Sequence, residues 1–318
     1  MKIVILDGHA ANPGDLSWKP LEKLGEVVVY ERTLPEQLTD RAKDANAVLT
    51  NSVYLGEDEL QQLPKLKYIG VLATGYNAVD IKAACRHGVT VTNIPAYSTD
   101  SVAQHVFALI LNVLNRVDRY ADDNRNGRWS ANPDFCYWDM RIRELASMKM
   151  GIVGLGNIGR KVAKIALAFG AEVYAFTSKE QSELPEGIRK CSLDDLYGTC
   201  DIISLHCPLT DDTKEMINSL TLAMMQPGTI LVNTGRGPLV NEHDVAYALQ
   251  EGRIAAYATD VMCQEPPEAD NPLFKCENAF ITPHMAWGTV EARQRLMDIA
   301  LNNIIAFAEG KPVNVIKE

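Results

Sequence analysis

The chain has 318 residues, 47% of them hydrophobic, which suits about two domains, each with enough apolar material for a core. A formal net charge of −10 without a basic block argues against nucleic acid as the main partner. No apolar run is fit to span a bilayer and no secretory leader is read at the start, so neither membrane attachment nor secretion is expected.

Short β-rich runs come first, at Lys2 to Leu6, Val27 to Tyr30, Ala47 to Thr50, Tyr68 to Ala73 and Val89 to Asn93, and predict a small parallel-sheet unit. Ser98 or Thr99 can cap a long helix from Asp100 to Asn126, stopping near Gly127. Its apolar side carries Val102, Val106, Ile110, Val113, Leu114 and Val117. Beyond it a second unit is expected, with six strands at Gly151 to Val153, Val173 to Phe176, Ile202 to Leu205, Thr229 to Asn233, Tyr257 to Val261 and Ala279 to Thr282. A last helix, capped by Thr289 and carrying Leu296, Met297, Ala300, Ile304 and Phe307, has no strand after it and can return to the first unit. The expected organisation is residues 1–99 and 287–318 as one discontinuous domain, with residues 100–286 inserted as the second. Cys85, Cys136, Cys191, Cys200, Cys207, Cys263 and Cys276 are odd in number, scattered and without C-x-x-C spacing. They read as reduced thiols of a cytoplasmic protein, with no disulfide framework and no metal site.

The most informative stretch is Met150 to Gly159, where an apolar run breaks into Gly154, Gly156 and Gly159. A strand ending at Val153, a glycine turn that lets the backbone approach a pyrophosphate, and a helix aiming its positive end at it make a dinucleotide site. G-x-G-x-x-G alone is weak. Here an Ala-rich helix from Arg160 to Phe169, a stop at Gly170 and a further β run at Glu172 to Phe176 supply the required context. At the tip of that second strand a carboxylate is expected to hold the adenine ribose of NAD, but the residues are Thr177, Ser178 and Lys179. Either Thr177 hydrogen-bonds the ribose of NAD and Lys179 is solvated, or Lys179 attracts the 2′-phosphate of NADP.

Three groups stand in loops after apolar strands: Arg236 in Val-Asn-Thr-Gly-Arg-Gly-Pro, Glu265 before two prolines, and His284 in Ile-Thr-Pro-His. Singly, each has an ordinary structural explanation. Together they offer a fixed cation for a carboxylate, a titratable imidazole, and a carboxylate to orient that imidazole and keep it charged. Reduction of a 2-keto acid needs those three roles. His9, His87 and His243 read as surface or loop residues, His105 as packed on its apolar helix, and Asp122, Asp123 and Arg125 as a solvated helix end.

Over essentially its whole length the chain resembles the NAD(P)-dependent D-isomer-specific 2-hydroxyacid dehydrogenases. The resemblance is carried by Ala73 to Asn77, Ser101 to His105, the glycine motif, His206-Cys207-Pro208-Leu209, Asn233 to Gly237, Asp260 to Pro266, and Thr282-Pro283-His284. Asn93 to His105 and the loop Asn132 to Trp138 are similar to the glycerate dehydrogenase (hydroxypyruvate reductase) group within that family. Gln104 and Thr177 depart from the family's frequent glutamate and aspartate, and the regulatory extension of long phosphoglycerate dehydrogenases is not expected after Glu318.

The resemblance implies an α/β fold of two parallel-sheet domains, a Rossmann dinucleotide-binding domain inserted in a smaller flavodoxin-like substrate domain. It implies catalytic Arg236, Glu265 and His284, and a substrate site of Thr74, Gly75, Arg236 and His284 that receives the carboxylate on the backbone around Thr74. The implied cofactor contacts are Thr74, Ser101, Gly154, Gly156, Asn157, Ile158, Gly159, Thr177, Ser178, Lys179, Cys207, Pro208, Thr234, Gly235, Arg236, Asp260 and His284, with Asp260 holding the nicotinamide carboxamide. Expected are NAD(H), with NADP(H) accepted, conversion of hydroxypyruvate to D-glycerate, and a homodimer. Trp138 either reaches the partner's active site or packs locally. The alternatives are reduction of glyoxylate or another 2-keto acid, or a dinucleotide-sensing corepressor-like protein, which the intact Arg236, Glu265 and His284 disfavour.

Overall fold

The computed structural model describes residues 1–317, which divide into two compact units: Met1–Ser98 with the residues from Trp287 onward, and Thr99–Ala286. In the first, strands β1 (Lys2–Ile5), β2 (Glu26–Val29), β3 (Ala47–Thr50), β4 (Tyr68–Val71) and β5 (Thr90–Thr92) form one parallel sheet ordered β2-β1-β3-β4-β5. This is the flavodoxin-like order. Helices α1 (Gly8–Ala11), α2 (Leu38–Ala42), α3 (Glu57–Gln61) and α4 (Ile81–Arg86) lie between the strands in sequence. The central strands read as unbroken apolar runs because both of their faces are covered. On one face Val4, Val48, Ile69 and Val91 pack with Leu38, Leu60, Ala83 and Ala84.

The second unit opens with α5 (Thr99–Asn115) and α6 (Val117–Arg125). Its sheet strands and helices then follow in the order β6 (Lys149–Val153), α7 (Asn157–Ala168), β7 (Glu172–Phe176), β8 (Ile188–Lys190), α8 (Leu193–Thr199), β9 (Ile202–Leu205), α9 (Ser219–Met224), β10 (Ile230–Asn233), α10 (Glu242–Gln250), β11 (Ala256–Thr259) and β12 (Ala279–Ile281). All pairings are parallel, in the order β12-β11-β10-β9-β6-β7-β8. Counted from β6, this is the Rossmann order with a seventh strand at one edge. The core on one face joins Val106, Phe107 and Ile110 of α5 to Val162, Ala163 and Ala166 of α7. The other joins Leu196, Val245 and Leu249 to Ile203 and Leu231.

Three expectations need correction. The helix from Asp100 to Asn126 is two helices, because Arg116 takes a left-handed backbone with φ 50° and lays its guanidinium over the Phe280 ring, 4.4 Å from the centroid. Six strands are seven, since β8 is an edge strand with only Ile188 buried, and its Arg189 and Lys190 hide the β pattern. Asp123 is not merely solvated: Arg128 bridges it at 2.7 Å to Asp139 at 3.0 Å, and Arg119 also reaches Asp139 at 2.9 Å. These pairs tie the segment after α6 back onto that helix, leaving Trp129, Phe135 and Trp138 exposed. His87, at the end of α4, meets Glu57 Oε1 at 2.7 Å on the surface.

The last helix, α11 (Val290–Ala308), is capped by Thr289, whose hydroxyl oxygen accepts from Ala292 N. Ala292, Leu296, Ala300 and Ile304 recur on one helical face and cover Ile3, Ile5, Leu49 and Tyr68, the second face of the first sheet. Among the described residues no helix is long and apolar enough to cross a membrane.

Candidate active site

The glycine turn after β6 is built by close approach. Gly154 has φ 94°, and a Cβ there would lie 2.7 Å from the Cys207 nitrogen. At Gly159 a Cβ would sit 2.1 Å from the Gly154 carbonyl oxygen, so the first turn of α7 can lie against the strand end only without one. At Gly156 a Cβ would meet nothing within 4 Å, which leaves space for a group laid against the backbone. Helix α7, with Asn157, Ile158 and Gly159 in its first turn, has no side-chain cap and no acidic residue there. Its first amides and the positive end of its dipole remain available to a pyrophosphate. Thr234 Oγ1, just past β10, is buried with no hydrogen-bond partner among the described residues. An open cradle and an orphaned hydroxyl at the strand ends fit a dinucleotide.

Thr177 follows β7 directly. Its Oγ1 accepts from Lys179 N at 3.3 Å, Ser178 is exposed, and the carboxylate of Glu180 is paired with Lys190 at 3.3 Å.

Arg236, Glu265 and His284 stand in the loops after β10, β11 and β12. Asn233, fully buried, shapes the first loop: its Oδ1 accepts from Gly235 N at 3.0 Å and its Nδ2 donates to Arg236 O at 2.9 Å. Gly237 lets this turn press on the next loop, since a Cβ would fall 2.0 Å from the Met262 carbonyl oxygen. Arg236 is thereby held exposed, its Nη1 donating to Gly235 O at 2.8 Å. In the loop after β11, Glu265 Oε1 accepts from Met262 N at 2.9 Å and Oε2 meets Nδ1 of His284 at 2.6 Å. Burial pushes the Glu265 carboxyl up. The hydrogen bonds from His284 and the Met262 amide, with the charges of His284 and Arg236, outweigh it and hold the group below its ordinary value. An ionised Glu265 accepts a hydrogen bond from Nδ1–H, so Nε2 of His284 is the nitrogen left to exchange a proton.

Beneath this pair lies Asp260, 1% exposed. Its Oδ1 accepts from Met285 N at 2.9 Å and Thr282 Oγ1 at 2.6 Å, and its Oδ2 accepts from Ala286 N at 2.8 Å. Ser101, also buried, donates its hydroxyl to Ala286 O. His105, read in sequence as mere packing, sets its Nε2 2.9 Å from Thr282 Oγ1. The one sequence signal was spacing: Ser101 and His105 stand four apart, on one face of an apolar-rich helix. His206, named in sequence only within the His206-Cys207-Pro208-Leu209 segment, bonds Ser204 Oγ through Nε2 at 2.8 Å, and burial pushes its imidazole down to about 4. Cys207 is half-buried and Pro208 exposed beside the glycine turn. Thr74 and Gly75 follow β4 in the first unit, where Thr74 donates to Ile94 O at 2.8 Å and its carbonyl accepts from Asn93 Nδ2 at 2.7 Å.

A Rossmann sheet whose strand ends carry an arginine and a carboxylate-oriented histidine defines a nicotinamide-dinucleotide-dependent oxidoreductase. The model of the D-isomer specific 2-hydroxyacid dehydrogenase NAD-binding domain matches residues 107–286. The hydroxypyruvate reductase of Blautia hydrogenotrophica is 44% identical over 100% of both chains, and the glycerate dehydrogenase of Methylorubrum extorquens is 38% identical over 99% of both. An acyclic imino acid reductase solved with NADPH and D-Arg superposes over 100% of both chains with a TM-score of 0.86 at 29% identity. The chain belongs to the D-isomer-specific 2-hydroxyacid dehydrogenase family.

Proposed function

We propose that the protein reduces hydroxypyruvate to D-glycerate. The observation that carries this reading is the 2.6 Å Glu265–His284 pair, on the same sheet edge as the exposed Arg236. The bound reduced nicotinamide supplies the hydride to C2. Arg236 takes the carboxylate and 2-keto oxygen with its planar fork. His284 gives the proton on Nε2 to the forming alkoxide, and Glu265 keeps the ring oriented by holding Nδ1–H. In the oxidative direction His284 begins neutral and accepts the proton at the same atom.

The open turn at Gly154, Gly156 and Gly159, the amides of Asn157 and Ile158, and Thr234 with Gly235 serve the dinucleotide, flanked by Cys207 and Pro208. Ser101 and Asp260 would serve the nicotinamide end, with Asp260 holding the carboxamide. NADP(H) is accepted beside NAD(H): Thr177, Ser178 and Lys179 present no carboxylate to a 2′-phosphate, and Glu180 is engaged by Lys190. The exposed Trp129, Phe135 and Trp138 support a homodimer, and seven unpaired cysteines support a cytoplasmic setting.

The test is a panel of 2-keto acids, hydroxypyruvate and glyoxylate included, assayed by absorbance with NADH and NADPH. The highest kcat/KM is expected for hydroxypyruvate. Nucleotide binding without turnover of any 2-keto acid would overturn the reading.

A further inference from the structure

We propose that His105 is a positioning residue for proton transfer, acting through Thr282 and Asp260 on the backbone that carries His284. The inference rests on the reading of His284 given above.

A buried carboxylate is tolerable only when hydrogen-bonded, and the three hydrogen bonds to Asp260 come from the loop that holds the catalytic imidazole. Thr282 precedes His284 by two residues, and Met285 and Ala286 follow it directly; all three donate to the Asp260 carboxylate. Between them His284 has φ 51°, the left-handed region that is strained for an L residue. One carboxylate thus grips both sides of a residue whose backbone would otherwise relax. Such a conformation persists only when its surroundings over-determine it.

The single hydroxyl proton of Thr282 has two possible acceptors, Asp260 Oδ1 at 2.6 Å and Thr259 O at 3.3 Å. The shorter, charge-assisted contact takes it. The hydroxyl oxygen is then an acceptor, and His105 Nε2, at 2.9 Å, is its donor. The same nitrogen lies 3.5 Å from Asp260 Oδ1, so the N–H also faces the carboxylate. One turn earlier Ser101 donates to Ala286 O. Helix α5 therefore pins the loop at both ends, at Thr282 through His105 and at Ala286 through Ser101. A side chain needed only for volume would not place a donor there.

The test compares His105→Leu, which keeps bulk and removes the donor, with His105→Gln, which restores an N–H. Measured are kcat and KM for the 2-keto acid that the wild type turns over, the dissociation constant of NADH, and the amide proton shifts of Met285 and Ala286. Expected in His105→Leu is a fall in kcat of about tenfold, the scale of one hydrogen bond to a charged network. NADH binding is expected to hold, both amide resonances to move, and His105→Gln to recover most of the loss. A leucine variant with unchanged kcat would overturn the proposal. So would leucine and glutamine variants equally impaired, with NADH binding lost in both, which is the signature of packing. If the wild type reduces no 2-keto acid, the functional reading fails instead. The Met285 and Ala286 resonances still decide the positioning, and their failure to move in His105→Leu would overturn it.

Discussion

Nδ1 of His284 and Oε2 of Glu265 are 2.6 Å apart, although nineteen residues separate them in the chain. In the proposed reaction their contact dedicates one imidazole nitrogen to orientation and frees the other for proton transfer. Replacing His284 by Asn is expected to cut kcat by roughly a hundredfold or more, the scale of a positioned general acid, while NADH binding persists. Glu265→Gln is expected to cost less, because an amide still accepts from Nδ1. Glu265 lies below its ordinary value, so its carboxylate is present above that value and is lost as pH falls through the depressed one. The glutamine variant therefore lacks whatever part of the acid limb of kcat belongs to Glu265. Steady-state pH profiles of both variants check this.

Arg236 keeps its charge in Arg236→Lys but loses the fork. A point charge cannot bind carboxylate and carbonyl oxygens side by side, so kcat/KM for the keto acid is expected to fall about ten- to a hundredfold, the cost of a misplaced reactant. The Kd for NADH is expected to stay. Initial-rate kinetics beside a nucleotide titration separate the two effects.

Thr177→Asp places a carboxylate at the end of β7. It is expected to depress kcat/KM with NADPH far more than with NADH, because only the 2′-phosphate is repelled. Parallel measurements with both cofactors, in wild type and variant, provide the check. Strong exclusivity for NADH in the wild type would contradict the proposed tolerance.

Gly159→Ala would force a methyl to 2.1 Å from the Gly154 carbonyl. The neighbour is backbone and cannot swing aside, so α7 must move off the strand end. A loss of about 1–3 kcal/mol in stability, typical of overpacking, is expected together with weakened NADH binding. Urea denaturation and fluorescence titration measure the two losses.

His206 is held near 4 against an ordinary 6.5, so the unfolded chain takes up a proton before the folded one does. Its contribution to stability is full above 6.5 and lost as pH falls from there towards 4, a loss of roughly 3 kcal/mol. His206→Gln is expected to remove that slope. Urea midpoints at several pH values between 7 and 4 compare the variant with the wild type.

Much of this molecule was legible as a string because its signals are local. The strand at Met150 to Val153, the glycine spacing and the following helix lie within twenty residues, and short apolar runs covered on both faces announce parallel strands. Arg236, Glu265 and His284 stood out because each follows a strand, where ligands of such sheets bind. Edge strand β8 did not show, since one buried isoleucine makes no pattern, nor did the break at Arg116, which no glycine or proline marks.

Composition and spacing by themselves determined two parallel sheets and a dinucleotide turn, and pointed to Arg236, Glu265 and His284. Tertiary structure alone decided how those residues work together. The pairing of β11 with β12 sets Thr259 beside Ile281, and that register brings Asp260 to Thr282 and the loop of His284 onto a buried carboxylate. Helix α5, from the far side of the sequence, then supplies His105. Local propensity fixes which backbone forms a strand or helix, but contacts between distant segments depend on register and packing, which no single segment encodes.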